Sequence, residues 1–234
     1  MTPPPFQAYL LDVDGTLVSC GGAGRRSLER SLAHHCGPID GALAPLRLDG
    51  MTDRRIVREA LGLLRQPFSE ERCDAVLARY LLHLEEEIAA PGYEVLPGVV
   101  DALEKLRARG ALYGLCTGNV VDGARVKLAR GGLDRYFEWG PAAPGGFAAD
   151  GEAREQIVLA AVRRASTRLG RPIDPGEALV VGDTPRDVEA AHLAGCPVLG
   201  VATGRYDAAA LRAAGADFVA PALAHPDARR LLGA

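Results

Sequence analysis

A chain of 234 residues with 48% hydrophobic and 24% charged side chains has the composition of a folded protein, long enough for one large or two modest domains. A net charge of -3 and a pI near 6.0 exclude the broad basic field that nucleic-acid binding draws on, so an anionic ligand has to be held by local chemistry. The five cysteines (Cys20, Cys36, Cys73, Cys116, Cys196) are odd in number and form no C-x-x-C pair, which argues against a disulfide framework or a zinc site and fits a reducing compartment. No apolar run approaches a membrane span, and the opening "MTPPPFQAYLL" has no basic stretch before its apolar one. The expectation is a cytoplasmic protein, monomer or homodimer, with neither a membrane nor a nucleic-acid partner.

The first predicted strand, "AYLL", stays apolar through Leu11 and then runs into "DVDGTLVS". Asp and Gly punctuate strand ends, so Asp14 and Gly15 could be only a turn. In an extended chain, however, Asp12 and Asp14 project to the same side, where two like charges need a cation, a proton or solvent. From about Thr16 to Glu94 the pattern is helical. In "VLARYLLHLEEEI", Val76, Leu77, Tyr80, Leu81, Leu84 and Ile88 form one apolar stripe, the mark of core packing. From "VLPGVVDALEKLRARG" onward, helices alternate with the short apolar runs "ALYGLC" (111–116), "ALVVG" (178–182), "PVLGVA" (197–202) and "ADFVA" (216–220). That alternation predicts an α/β fold with a doubly wound parallel sheet. The stretch of about eighty residues between the first two strands is too long for an ordinary crossover and predicts an inserted α-helical domain. The expected division is 1–15 with 95–234 as the core and 16–94 as the insertion. "PAAPGGFAADG" (141–151) is expected to be an exposed loop.

Ligands of open parallel sheets bind beyond the carboxyl ends of the strands, so the residues that follow each apolar run carry the most information. "YLL" is followed by Asp12 and Asp14, "GLC" by Thr117, Gly118 and Asn119, and "LVVG" by Asp183 and then Asp187. Three kinds of group therefore meet at one rim: acids, a hydroxyl and a glycine-lined turn. Thr117 could instead end a strand or cap a helix. In "TPRD", Thr184 stands at a plausible N-cap, Pro185 at N1 and Asp187 at N3, the pattern of a capping box, and that role is compatible with support of a metal.

The motifs "DVDGTLV", "CTGN" and "VVGDTPRDVEAAHLAG" resemble the signature motifs of the haloacid dehalogenase-like hydrolase superfamily, and specifically its phosphoglycolate-phosphatase-like branch with a helical cap after the first motif. The resemblance spans essentially the whole chain and implies a Rossmann-like core and a Mg²⁺-dependent phosphatase of a small phosphorylated metabolite. It implies Asp12 as the nucleophile and Asp14 as the general acid and base. Mg²⁺ would lie among Asp12, the backbone carbonyl of Asp14 and Asp183, with Asp187 in support. Thr117, Gly118 and Asn119 would grip the phosphoryl oxygens. The family's usual lysine near the start of the helix after the third strand is missing here, and Arg154 of "DGEAREQIVLAAVRRA" is the best match to it. A cation in a first helical turn opposes the helix dipole unless an anion lies nearby, and Asp150, Glu152 or Glu155 could also pair with it at the surface. A phosphate dianion beside Asp12, Asp183 and Asp187 needs both Mg²⁺ and Arg154 to offset its charge.

Several features lead elsewhere. "GGAGRRS" (21–27) lacks the lysine and spacing of a P-loop and reads as the flexible lead-in to the first inserted helix. In "LDGMTDRRIV", Thr52 or Asp53 could N-cap the next helix, while Thr52, Asp53 and Arg54 are candidate specificity residues of the cap. The histidines show no metal-ligand spacing; His34 and His35 read as surface or cap-packing residues, and His192 as lying on the helix after Asp183. Among rival functions, a dehalogenase has no need of Asp14 and Asp183, and a phosphonate-cleaving relative needs a cap lysine that residues 16–94 lack. A phosphosugar mutase would share nearly every core residue. A non-catalytic phosphate-ligand binding protein on the same fold is the alternative of a different class.

Overall fold

The computed structural model describes residues 6–233; the proline-rich start, on which the localisation expectation partly rests, lies outside the described residues. The chain begins with β1 (Ala8–Leu11) and β2 (Val18–Cys20), then enters three helices, α1 (Ala23–Cys36), α2 (Asp53–Leu63) and α3 (Glu70–Glu87). It returns through β3 (Tyr93–Val95) to α4 (Val99–Ala108), β4 (Leu112–Leu115) and α5 (Val121–Arg130). The second half runs α6 (Arg154–Leu169), β5 (Ala178–Gly182), α7 (Pro185–Leu193), β6 (Val198–Val201), α8 (Ala208–Ala213), β7 (Phe218–Ala220) and α9 (Pro226–Leu231).

Five strands form a parallel sheet in the order β4-β1-β5-β6-β7. β1 is central and wholly buried, and its residues alternate between the two faces. Tyr9 and Leu11 join Leu103, Leu106 and Leu128 on one face, under α4 and α5. Ala8 and Leu10 join Ile157, Val188 and Leu211 on the other, under α6, α7 and α8. A strand covered by helices on both faces has to be apolar throughout, which is why "AYLL" carries no polar side chain before Asp12. Each such buried side chain contributes about 1.5–3 kcal/mol of transfer free energy.

The insertion has a third apolar cluster of its own, including Leu28, Leu32, Ile56, Val57, Val76, Leu77 and Leu84. α1 packs on α3, and the buried Ser31 hydroxyl donates to the Val76 carbonyl at 2.7 Å, so the polar group costs little. Two elements differ from expectation. The insertion is not wholly helical: β2 and β3 pair antiparallel where the chain leaves and re-enters the core, with Val18 opposite Val95 and Cys20 opposite Tyr93. Strands of three residues are too short to carry an alternating pattern. Segment 141–151 is also not an exposed loop, because residues 143–148 are buried. Its backbone runs beside β4, with the Gly146 amide donating to Leu115 at 2.8 Å and the Thr117 amide donating to Gly146 at 3.1 Å. The burial comes from backbone pairing, which composition does not announce.

Candidate active site

Register brings the site together. Leu11 stands level with Leu115 and Val181, so Asp12, Cys116 and Gly182 emerge side by side at the sheet rim, with Asp14, Thr117 and Asp183 just beyond. This is the switch point at which strand order reverses around β1, where open α/β sheets hold ligands. Gly15, after the two acids, turns the chain with φ +77° and passes so close to Asp183 that a Cβ there would stand 2.3 Å from Oδ2. Glycine meets both the torsional and the steric demand.

Asp12, Asp183 and Asp187 are all buried and offer carboxylate oxygens within 4.8 Å of one another. Burial pushes the Asp12 carboxyl up to about 6, with Arg154 opposing that rise and Asp187 and Asp14 adding to it. Burial, then Asp187 and Asp12, raise Asp183 well above the ordinary carboxylate range. The Asp187 carboxylate is divided between two tasks. Its Oδ2 accepts from the Thr184 amide at 2.9 Å and the Thr184 hydroxyl at 2.7 Å, while the Asp187 amide donates back to Thr184 Oγ1 at 3.2 Å. That is the expected capping box at the start of α7. Its Oδ1 accepts from Arg154 Nε at 2.8 Å and also touches Nη2.

Arg154 opens α6, and its Nη2 lies 2.9 Å from Asp12 Oδ2. Two of the three surface alternatives are engaged elsewhere, Asp150 with Arg164 and Glu152 with Arg58, and among the described residues no ion pair joins Arg154 to the third, Glu155. The cation therefore faces the anions that its unfavourable place in the first turn calls for. Buried carboxylate oxygens are hard donors suited to a small divalent cation, and three of them around a single guanidinium leave negative charge for such an ion to offset; the residues fit a metal.

Asp14 does not point into that group. Its Oδ2 accepts from Lys127 Nζ at 2.6 Å and from Asn119 Nδ2 at 2.8 Å. Burial acts to raise Asp14, but the Lys127 ammonium and the hydrogen bonds from Lys127 and Asn119 hold its carboxyl below the usual range. Asn119 Nδ2 also reaches Thr117 Oγ1 at 2.7 Å, and Asn119 Oδ1 accepts from Lys127 at 2.6 Å. Any metal contact from Asp14 is thus left to its backbone carbonyl. Lys127 is the residue of this cluster that sequence reasoning missed. The signal available in the sequence was rarity alone, since the chain's only other lysine is Lys105.

The insertion closes over this rim. Gly118 meets it so closely that a Cβ would lie 2.2 Å from the Met51 carbonyl. Thr52 N-caps α2, accepting from the Arg55 amide at 3.3 Å, and its hydroxyl donates to the Glu152 carbonyl at 3.2 Å. Asp53 crosses to the core, where its carboxylate accepts the Val120 amide at 2.8 Å at the start of α5. Arg54 turns away from the site and is held by Glu70 and Asp74, so the three adjacent cap residues separate. Of the three, Asp53 lines the cavity between insertion and core, a space of about 630 Å³ that also exposes Asp12, Asp14, Thr117, Arg154 and Asp183.

Burial pushes the Asp53 carboxyl up from 3.8 to about 6. Folding therefore takes up a proton between these values, and stability falls as pH rises through that window. Asp53→Asn keeps an acceptor for Val120 without the ionisation. It is expected to match the parent near pH 4 and to exceed it by about 1–2 kcal/mol at pH 8 in urea unfolding. Equal stability of the two at both pH values would contradict the shift.

A family model described as haloacid dehalogenase-like hydrolase matches residues 6–195. A phosphoglycolate phosphatase of Rhodospirillum rubrum is 32% identical over 211 residues, covering 85% of this chain and 80% of the relative. The pyrophosphatase PpaX of Bacillus velezensis is 28% identical over 208 residues, 86% of each chain. The crystal structure of a hydrolase from Pseudomonas syringae shares the fold with a TM-score of 0.65 at 21% identity, covering 93% of this chain and 94% of that one.

Proposed function

The chain belongs to the haloacid dehalogenase-like hydrolase family, and on that premise we propose that it is a phosphatase that hydrolyses a small phosphomonoester through an aspartyl phosphate on Asp12. The observation that carries this reading is the cluster of Asp12, Asp183, Asp187 and Arg154 at the floor of a cavity roofed by the insertion. We read residues 16–94 as the cap and 1–15 with 95–234 as the core. The substrate class takes in 2-phosphoglycolate, for which the Rhodospirillum rubrum relative is named.

Asp12 Oδ2 is held by Arg154, which leaves Oδ1 to attack phosphorus. As that P–O bond forms, the bond to the alcohol oxygen breaks, and Asp14, ionised beside Lys127 in the free protein, gives the departing oxygen a proton that it has taken from the phosphomonoester monoanion on binding. Asp14 then takes a proton from a water molecule as the water attacks the aspartyl phosphate; inorganic phosphate leaves and the Asp12 carboxylate is restored. Arg154, Thr117 and the amides of Gly118 and Asn119 are proposed to bind the phosphoryl oxygens. Asp12, Asp183 and the Asp14 carbonyl would hold Mg²⁺, with Asp187 in support, and the ion when bound would offset phosphoryl charge as a Lewis acid. Of Thr52, Asp53 and Arg54, Asp53 is the one that lines the cavity, and it is proposed to face the leaving group.

The test is phosphate release from a panel of 2-phosphoglycolate, hexose and pentose phosphates and nucleoside monophosphates, with Mg²⁺ and with a chelator. Release is expected with Mg²⁺ and to fall by at least about 10²-fold with the chelator. Isomerised phosphosugar without free phosphate would make the protein a mutase, and no turnover at all would contradict both readings.

A further inference from the structure

Lys127 is 5% exposed on the inner face of α5, between Ala124 and Leu128. Burying an ammonium costs several kcal/mol unless it is fully paired, so a brace between α5 and the insertion would be served better by an apolar side chain such as those flanking it. The pairing here points in one direction. Lys127 Nζ reaches Asp14 Oδ2 and Asn119 Oδ1, each at 2.6 Å, and Asn119 Nδ2 reaches the same Asp14 oxygen at 2.8 Å. Both nitrogen donors fall on Oδ2, and the only other side-chain donor to this carboxylate among the described residues is the weak thiol of Cys20. The Asp14 side chain is 46% exposed and lines the cavity, whereas that of Lys127 is 6% exposed. The lysine therefore grips the acid from behind and leaves its other oxygen facing the space a leaving group would fill.

We propose that Lys127 is a positioning residue for leaving-group protonation, fixing the Asp14 carboxylate through Oδ2, with Asn119 as the second strut, so that Oδ1 faces the departing oxygen. This rests on the role given to Asp14 above. Asn119 Nδ2 also ties Thr117 Oγ1 to the same network, so the acid and the proposed phosphoryl grip are held in one frame. Such an arrangement matters most for an alcohol that leaves poorly without a proton. It matters little for p-nitrophenol, which departs as a stable anion.

The experiment compares kcat/KM for p-nitrophenyl phosphate and for the alkyl phosphomonoester that turns over best, in the parent protein, Lys127→Met and Asp14→Asn. kcat/KM covers the steps through departure of the alcohol, so later hydrolysis of the aspartyl phosphate does not enter it. Both esters are measured on one preparation, so any loss of folded protein cancels in their ratio. Lys127→Met is expected to lose about 10²-fold on the alkyl ester and less than about threefold on the aryl ester, with Asp14→Asn showing the same selectivity. Equal losses on both esters in Lys127→Met, or no loss on either, would overturn the proposal while a selective Asp14→Asn left the acid role standing. A non-selective Asp14→Asn would overturn the acid role and the proposal with it.

Discussion

Asp12→Asn is expected to lower phosphate release by at least about 10⁴-fold while the protein stays folded. The size follows from the role: an amide oxygen at this position cannot form an acyl phosphate and return as a carboxylate, and no other acid in the group occupies its place at the end of β1. The fold is spared because the Asp12 carboxyl is buried and burial resists its ionisation. Asparagine removes that penalty, and Arg154 keeps its contacts with Asp187. Urea unfolding of the variant is expected within about 2 kcal/mol of the parent. Substantial activity in a folded Asp12→Asn protein would remove Asp12 from the chemistry.

Arg154→Met is expected to be the most destabilising change at the site. The guanidinium is the cation paired with Asp12 and Asp187, and its removal strands buried negative charge. Breaking a buried pair in this way costs about 3–5 kcal/mol. The cost depends on pH, because the Asp12 carboxyl, already up at about 6 with the guanidinium beside it, rises further without it, and the folded variant takes up a proton there that the parent releases. Stability of the variant relative to the parent should therefore fall as pH rises above about 6. Activity is expected to drop by about 10²–10³-fold, since the same group is proposed to meet phosphoryl oxygens. Arg154→Lys restores the charge but not the two-pronged contact, and should recover most of the stability and part of the rate. A pH-independent cost would show that the carboxylates do not rely on this cation.

The parallel sheet was legible because its central strands β1, β5 and β6 are buried throughout and read as unbroken apolar runs, and "ALVVG" coincides with β5 from end to end. Asp12, Thr117 and Asp183 were legible for a related reason: the first polar residues after such runs have nowhere to go but the rim. Arg154 was reached through the family resemblance, as the best match to the missing lysine, and its charge opposing its own helix dipole made a nearby anion expected. Lys127 was hidden because "VDGARVKLAR" scatters Arg125, Lys127 and Arg130 around the helix in a way that reads as a solvated surface, and only packing shows which one turns inward. Segment 141–151 was misread because glycine and proline suggest exposure, whereas here small residues let the backbone lie against β4 and α6. A Cβ on Gly114 would meet the Pro144 carbonyl at 1.3 Å, and one on Gly146 would meet the Ile157 carbonyl at 2.1 Å. The separation of Asp53 from Arg54 is equally a matter of tertiary structure, since neighbours in a first helical turn point in different directions and only the docked core decides which meets the cavity.

The most direct measurement is the mass of the protein after acid quenching during turnover of the preferred phosphomonoester with Mg²⁺, followed by assignment of the modified peptide. A phosphoryl adduct on the peptide carrying Asp12, absent in Asp12→Asn and when substrate is omitted, is the predicted result. Rapid phosphate release with no adduct at any quench time, or an adduct on another residue, would contradict the covalent route through Asp12.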